Sequence, residues 1–212
     1  MIRQLQHHNI DVVAVANPLR GLTFDSRYVA AIVQKINTPV LLVGHSYGGA
    51  VISNATGLVS NVVGLVYVAA YIPEVGESLR SLTTQSKKSI LGPATEVQAN
   101  GDIAVKISEF PAVFAADLDS ATANVMAVSQ RPGTPQTFDD VSQIAAWKTM
   151  KPASLWAIVA TEDKAVGTDV VMWMAERANA QITEISASHA VPVSQPGRVA
   201  KVILSAVQSL NV

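Results

Sequence analysis

Val40-Leu41-Leu42-Val43-Gly44-His45-Ser46-Tyr47-Gly48-Gly49 is the stretch that decides the fold of this chain. An apolar run feeds directly into Gly-x-Ser-x-Gly, and Ala50-Val51-Ile52-Ser53-Asn54-Ala55 follows as a small, largely apolar helix. A buried strand passing straight into a buried helix must reverse sharply. Ser46 then sits at the tip, on strained backbone, with its hydroxyl pushed out of the sheet. Gly44 and Gly48 are expected to be glycine because a Cβ would collide with the neighbouring strand or helix. The N-terminus of the helix would aim free N–H groups and a positive dipole end at an anion forming beside Ser46. The five-residue pattern by itself is common, but the strand before it and the helix after it supply the context of a nucleophile turn.

Working outward, the same alternation recurs. Residues 1–8 read as the end of a helix stopped by Asn9, and Ile10-Asp11-Val12-Val13-Ala14-Val15-Ala16 as a parallel strand ending at Asn17-Pro18. Asp25 is placed to cap a helix over 26–36, with Val29, Ile32, Val33 and Ile36 on one face. A third apolar run, 61–71, gives another buried strand. Strand, helix and strand at this spacing predict a parallel sheet with right-handed crossovers. The rhythm breaks over 73–150, where prolines separate amphipathic pieces (103–115, 119–129 and 139–149) and no clear strand is legible. It resumes with a strand at 153–160, a helix capped by Thr168 or Asp169, a short strand at 181–185, and a final helix opened by Pro196. The expectation is an α/β fold: a mostly parallel sheet flanked by helices, with a core formed by residues 1–72 and 151–212 and a helical cap inserted at 73–150. Phe110, Phe114, Phe138 and Trp147 are placed to line a pocket under that cap, although apolar periodicity alone reports only burial.

Composition narrows the function. The chain has 212 residues, 49% hydrophobic and 15% charged, with mean hydropathy +0.30, which suits a sheet buried on both faces. Lys and Arg total 15 against 16 Asp and Glu, so no basic surface points to nucleic acid or to an anionic membrane. Without cysteine there is neither a disulfide framework nor a thiolate site. His7, His8, His45 and His189 lack the spacing of a metal site, so no metal is expected. Residues 1–30 do not read as a signal peptide, and the apolar runs are too short for a bilayer, which makes a cytoplasmic protein the default.

A serine hydroxyl becomes a nucleophile when a base takes its proton, and the base needs an anion to hold its tautomer. In chain order the sequence offers Ser46, then Glu162 and Asp163 after the next-to-last strand, then His189 after the last. In a parallel sheet all of these emerge at the C-terminal edge, where sites form. His189 is the only histidine in the C-terminal half and is read as the base. Glu162 and Asp163 compete for the acid. Neighbours in a turn point differently, so one faces His189 and the other solvent, and Asp163 is the choice. His45 points to the opposite face from Ser46 and is read as packing or as support for the site.

The chain resembles the α/β-hydrolase superfamily, in particular its small capped esterases akin to plant methylesterases and hydroxynitrile lyases. The matching pieces are Asn17-Pro18-Leu19-Arg20-Gly21-Leu22, Leu42-Val43-Gly44-His45-Ser46-Tyr47-Gly48-Gly49, Tyr67-Val68-Ala69-Ala70-Tyr71-Ile72-Pro73, Thr161-Glu162-Asp163, and Ser188-His189 with Pro196. The resemblance implies Ser46 as nucleophile, Asp163 as acid, His189 as base and the backbone N–H of Tyr47 as an oxyanion donor. It implies a small-molecule ester as substrate and no cofactor. A lyase or peroxidase-like reaction on the same residues and a non-catalytic ligand-binding remnant are the alternatives. The family also carries earlier strands, one with a His-Gly loop that supplies a second oxyanion donor and lies between the strands at 11–16 and 40–45. Neither is found here, so the chain reads as N-terminally incomplete. The expectation is a hole with one donor, worth a loss of about 10²–10³ in rate. The segment 11–16 then either moves beside 40–45 or leaves unpaired edges that invite another chain, a homodimer being one outcome.

Overall fold

The computed structural model describes residues 1–211. Helix α1 (Ile2–His7) and helix α2 (Leu22–Val33) precede strand β1 (Val40–His45), helix α3 (Tyr47–Ala55) and strand β2 (Val62–Val68). Short elements follow: α4 (Leu79–Thr83), α5 (Leu91–Ala94), β3 (Thr95–Val97), β4 (Ile103–Val105), α6 (Phe110–Phe114), α7 (Ser120–Ser129), α8 (Gln136–Asp139) and α9 (Ala146–Thr149). The chain then returns to β5 (Leu155–Ala160), α10 (Thr168–Arg177), β6 (Gln181–Ile185), α11 (Val191–Ser194) and α12 (Pro196–Leu210).

Strands β1, β2, β5 and β6 form one parallel sheet in that order. Side chains alternate across its two faces. Leu65 and Tyr67 of β2 and Leu155, Ala157 and Val159 of β5 pack against α2, α3 and α10. Val66, Val68, Trp156, Ile158 and Ala160 pack against α12 and Leu5 of α1. All six residues of β5 are buried. Each such aliphatic side chain contributes about 1.5–3 kcal/mol of burial free energy, so the centre of the sheet anchors everything built on its ends.

Several expectations change. No strand forms over 10–16. That segment has no regular structure, Val13 is 65% exposed, and Asp11, Ala14 and Ala16 are exposed as well. Ile10, Val12 and Val15 still lean on the two core clusters, so the apolar residues find burial without a ladder. A strand requires a hydrogen-bonded neighbour, and β1 does not supply one. Of the two arrangements expected, the structure adopts the unpaired edge. The segment 73–150 is also not purely helical: β3 and β4 form a small antiparallel hairpin, and the expected helix over 103–115 shrinks to α6. Asp25 is not a helix cap. It lies a full turn inside α2, whose N-cap is Gly21, and its side chain is engaged elsewhere.

Candidate active site

The backbone at Ser46 is strained, with φ 55° and ψ −124°, a region costing non-glycine residues about 1–3 kcal/mol. Surrounding hydrogen bonds hold it there. The Ser46 N–H donates to the Val68 carbonyl at 3.2 Å, and the Ser46 carbonyl accepts from Gly49 at 3.0 Å and Tyr71 at 3.2 Å. A Cβ on Gly44 would lie 2.5 Å from the Gly48 carbonyl oxygen, so glycine is required there. Gly48 itself faces open space, contrary to expectation. The second constrained glycine is Gly49, where a Cβ would lie 2.3 Å from the Tyr71 carbonyl oxygen. The turn is therefore pressed against the end of β2 through Gly49.

Asp163 and His189 are brought together from the turns after β5 and β6. The His189 Nδ1 donates to Asp163 Oδ2 at 2.8 Å, and both side chains are fully buried. Asp163 Oδ1 accepts from the N–H groups of Ala165 at 2.8 Å and Val166 at 3.1 Å. Burial would push this carboxyl up, but the charge and hydrogen bond of His189 and the Ala165 N–H hold it below the usual carboxylate range. An ionised Asp163 holds the ring through Nδ1 and leaves Nε2 facing away from the carboxylate. That Nε2 is buried and has no hydrogen-bond partner. A buried polar atom without a partner is uncommon and calls for an explanation. Glu162 points away, accepting from the Ser186 hydroxyl at 2.8 Å at the surface.

The His189 ring is clamped. Phe114 meets it edge-on with centroids 4.4 Å apart, and His45 lies 4.6 Å away. His45 Nε2 donates to the His189 carbonyl at 2.8 Å, which ties the base directly to the residue before Ser46. Burial, together with the adjacent His189, lowers the His45 imidazole to about 3, so it stays neutral. The loop carrying His189 is also tied to the segment above it: Ser188 donates to Asp117 and to the Phe114 carbonyl, which also accepts from the Ala190 N–H. No hydrogen bond joins Ser46 to His189 among the described residues, a state common in enzymes without substrate.

Ser46 and Tyr47 open onto a cavity of about 430 Å³. Its walls are mostly apolar, from Leu19, Phe110, Phe114, Phe138 and the hairpin residues Ile103 and Val105. Trp147, expected there, is not among them. Its indole N–H donates to the Pro73 carbonyl at 3.1 Å, and its face meets Lys148 and Arg177. The hairpin and Leu19 escaped sequence reading because three-residue strands carry no periodicity and because nothing local marks a loop residue as a wall. Among the described residues no group of three or more His, Cys, Asp or Glu is placed to hold a metal ion, and no helix is long and apolar enough to cross a membrane.

A serine on a strained strand-to-helix turn thus shares one sheet edge with a buried acid–histidine pair, and a family model described as the alpha/beta hydrolase family matches residues 1–202. The chain belongs to the alpha/beta hydrolase family. Solved structures agree on the fold. A pyrethroid hydrolase from Sphingobium faniae JZ-2 superposes with TM-score 0.76 at 18% identity, over 96% of this chain and 88% of that one. The methylesterase MES16 from Arabidopsis gives TM-score 0.78 at 15% identity, over 98% and 91%. Polyneuridine aldehyde esterase gives 0.76 at 17%, over 96% and 90%. Among curated proteins, none matches this chain in sequence. Within this alpha/beta hydrolase, β1 is the strand that delivers the serine, and β5 and β6 deliver the carboxylate and the imidazole.

Proposed function

We propose that this alpha/beta hydrolase is a serine carboxylesterase for a small ester with apolar substituents. The reading rests chiefly on the buried Asp163–His189 pair, whose unpartnered Nε2 lies at the same sheet edge as the strained Ser46. His189 Nε2 takes the Ser46 Oγ proton as Oγ attacks the ester carbonyl carbon. The tetrahedral oxyanion is received by the Tyr47 N–H, one of the free donors at the start of α3. Asp163 holds the tautomer and stabilises the imidazolium. As the intermediate collapses, the C–O bond to the leaving group breaks and His189 returns the proton to the departing alcohol. A water, deprotonated by His189, then attacks the acyl-serine, releasing the acid and restoring Ser46. No step calls for a cofactor. The apolar walls favour uncharged acyl and alcohol groups, because burying a charge there without a partner is costly. The absence of cysteine is in keeping with a cytoplasmic setting.

A fluorophosphonate probe tests the reading, since it labels only an activated serine. Wild-type protein should be labelled and should hydrolyse p-nitrophenyl butyrate. Ser46→Ala should lose both, with its thermal unfolding midpoint held, because the hydroxyl is at a turn and its loss leaves no cavity. Activity of Ser46→Ala within tenfold of wild type would remove Ser46 from the mechanism, and turnover of cyanohydrins in place of esters would favour a lyase.

A further inference from the structure

The residue after the serine has a second attachment that the reaction above does not use. On that reading Tyr47 contributes its backbone N–H to the oxyanion site, while its phenol is held by a separate partner. The phenol donates to Asp25 Oδ2 at 2.8 Å. Asp25 is 0% exposed, and its other oxygen accepts from the Arg20 N–H at 3.1 Å. Among the described residues no cation pairs with this carboxylate: the Arg20 guanidinium turns to Asp102 at 3.0 and 3.1 Å and to the Pro132 carbonyl at 3.1 Å. A buried carboxylate served only by neutral donors is costly to keep, and losing one of them leaves it worse. Packing alone would be met as well by an apolar side chain at position 25, among neighbours such as Leu22 and Val29.

The cost is explained by what the carboxylate holds. The Tyr47 ring lines the cavity, so on that side it has space rather than packed neighbours. Among the described residues its one side-chain hydrogen bond is to Asp25. The Asp25 bond therefore fixes the first residue of α3 from outside the helix, at the point where its backbone has the strained Ser46 on one side and Gly48, with open space at its Cα, on the other. Small-residue freedom next to a strained turn is where a donor would drift. Oxyanion stabilisation depends on a donor held in place before the charge develops.

We propose that Asp25 is a positioning residue for the oxyanion donor: through the Tyr47 phenol it sets the direction of the Tyr47 N–H, and through the Arg20 N–H it ties that direction to the loop 17–21 at the cavity wall. The inference rests on the esterase reading, since an oxyanion must form for the donor to matter. Asp25 touches no substrate atom. Its effect is confined to the transition state, where the hydrogen bond to the oxygen strengthens, and leaves the ground-state complex nearly unchanged.

The test uses wild type, Tyr47→Phe, Asp25→Asn and the double variant, with rates referred to active sites titrated by fluorophosphonate so that any unfolded fraction is not counted. Tyr47→Phe removes one oxygen and keeps the ring and the backbone. It should lower kcat for p-nitrophenyl butyrate about tenfold, by misplacement of the donor, with KM within twofold. Its inhibition constant for phenylboronic acid, whose tetrahedral adduct on Ser46 places an oxygen in the same hole, should rise by the same factor. Asp25→Asn should move the same quantities in the same direction, and the double variant should be no worse than the poorer single variant, as for two ends of one bond. An unchanged kcat per titrated site in Tyr47→Phe, even with a lower unfolding midpoint, would overturn the inference and leave the esterase reading standing. A rise in KM alone would do the same, making Tyr47 a wall of the cavity. A wild-type protein that neither labels nor hydrolyses esters would overturn both.

Discussion

The two sides of the active site are built to different standards of closure. On the β5–β6 side, β5 is paired on both edges, Asp163 accepts three hydrogen bonds, and His189, which follows the edge strand β6, is buried between Phe114 and His45. On the β1 side, the strand that delivers Ser46 is itself an edge of the sheet, and the segment 10–16 forms no strand against it among the described residues. The Asp163–His189 pair is therefore held by a dense network of hydrogen bonds and ring contacts at the ends of β5 and β6. Ser46 and Tyr47 are positioned by local devices: the strained turn, Gly44 and Gly49 against backbone, and the Asp25–Tyr47 bond. Substitutions on the first side should act on chemistry by breaking a dense network. On the second side they should act through geometry.

The largest effect tests the first side at its centre. Asp163→Asn should lower kcat/KM by up to about 10⁴, because an amide no longer fixes the His189 tautomer or stabilises its charged form. Glu162→Gln should change it by less than about twofold, since an exposed carboxylate bonded to Ser186 contributes little to a buried imidazole. Steady-state hydrolysis of one ester by both variants decides the pair, and the opposite ranking would place the acid at Glu162.

His45 lies where the two sides meet, and it yields a pH effect with a definite sign. Its folded value, about 3, lies below the ordinary 6.5. Between those values the unfolded chain binds a proton that the folded chain refuses, so the contribution is complete above pH 6.5 and is lost as pH falls toward 3. At pH 5 the loss is about 2 kcal/mol. His45→Gln keeps an N–H donor for the His189 carbonyl and removes the titration. Urea unfolding at pH 7 and pH 5 should therefore show a smaller acid loss for the variant, by about 2 kcal/mol. An equal loss in both proteins would mean that His45 is charged or solvated in the fold.

The same division decides what was legible in the sequence. Strands β1, β2 and β5 announce themselves as apolar runs, as strands of a covered parallel sheet do, whereas β6, Gln181-Ile182-Thr183-Glu184-Ile185, is a mostly exposed edge legible only as a short alternation. Residues 10–16 carry as strong a run and still form no strand, because strand formation depends on a partner edge that lies outside the segment. Thr95-Glu96-Val97 and Ile103-Ala104-Val105 pair although neither shows a pattern long enough to notice. Ser46 and His189 stand out in the sequence through the turn context and chain order, which are properties of the topology. Asp25 reads as a cap from sequence because its Tyr47 partner is set by tertiary contact, and its local partner, the Arg20 N–H, lies just before the helix rather than within its first turn. Gly48 was assigned the constraint that belongs to Gly49, since which glycine meets the backbone depends on where β2 ends.

The smallest effect concerns the free edge itself. In a parallel strand the N–H and C=O of one residue point to the same side, and successive residues alternate. The Val40 N–H donates to the Asn61 carbonyl at 2.8 Å and the Ser46 N–H to the Val68 carbonyl at 3.2 Å, so the even-numbered residues of β1 face β2. Leu41, Val43 and His45 therefore present their N–H groups to the outer edge, where no strand pairs among the described residues. Native-state hydrogen exchange should alternate along β1, with Leu42 and Gly44 slow and Leu41 and Val43 faster by at least about tenfold, while β5, paired on both edges, should show uniform slow exchange. The comparison is internal to one molecule, so global stability cancels. Uniform protection along β1 would mean that something covers that edge in solution. A second copy of the chain is then the first occupant to examine, and protection that falls on dilution, in step with a shift in sedimentation toward the monomer, would identify it. Persistent protection in a monomer would instead require the segment 10–16 to close onto β1, and Asp11, Val12 and Val13 would then share the slow exchange.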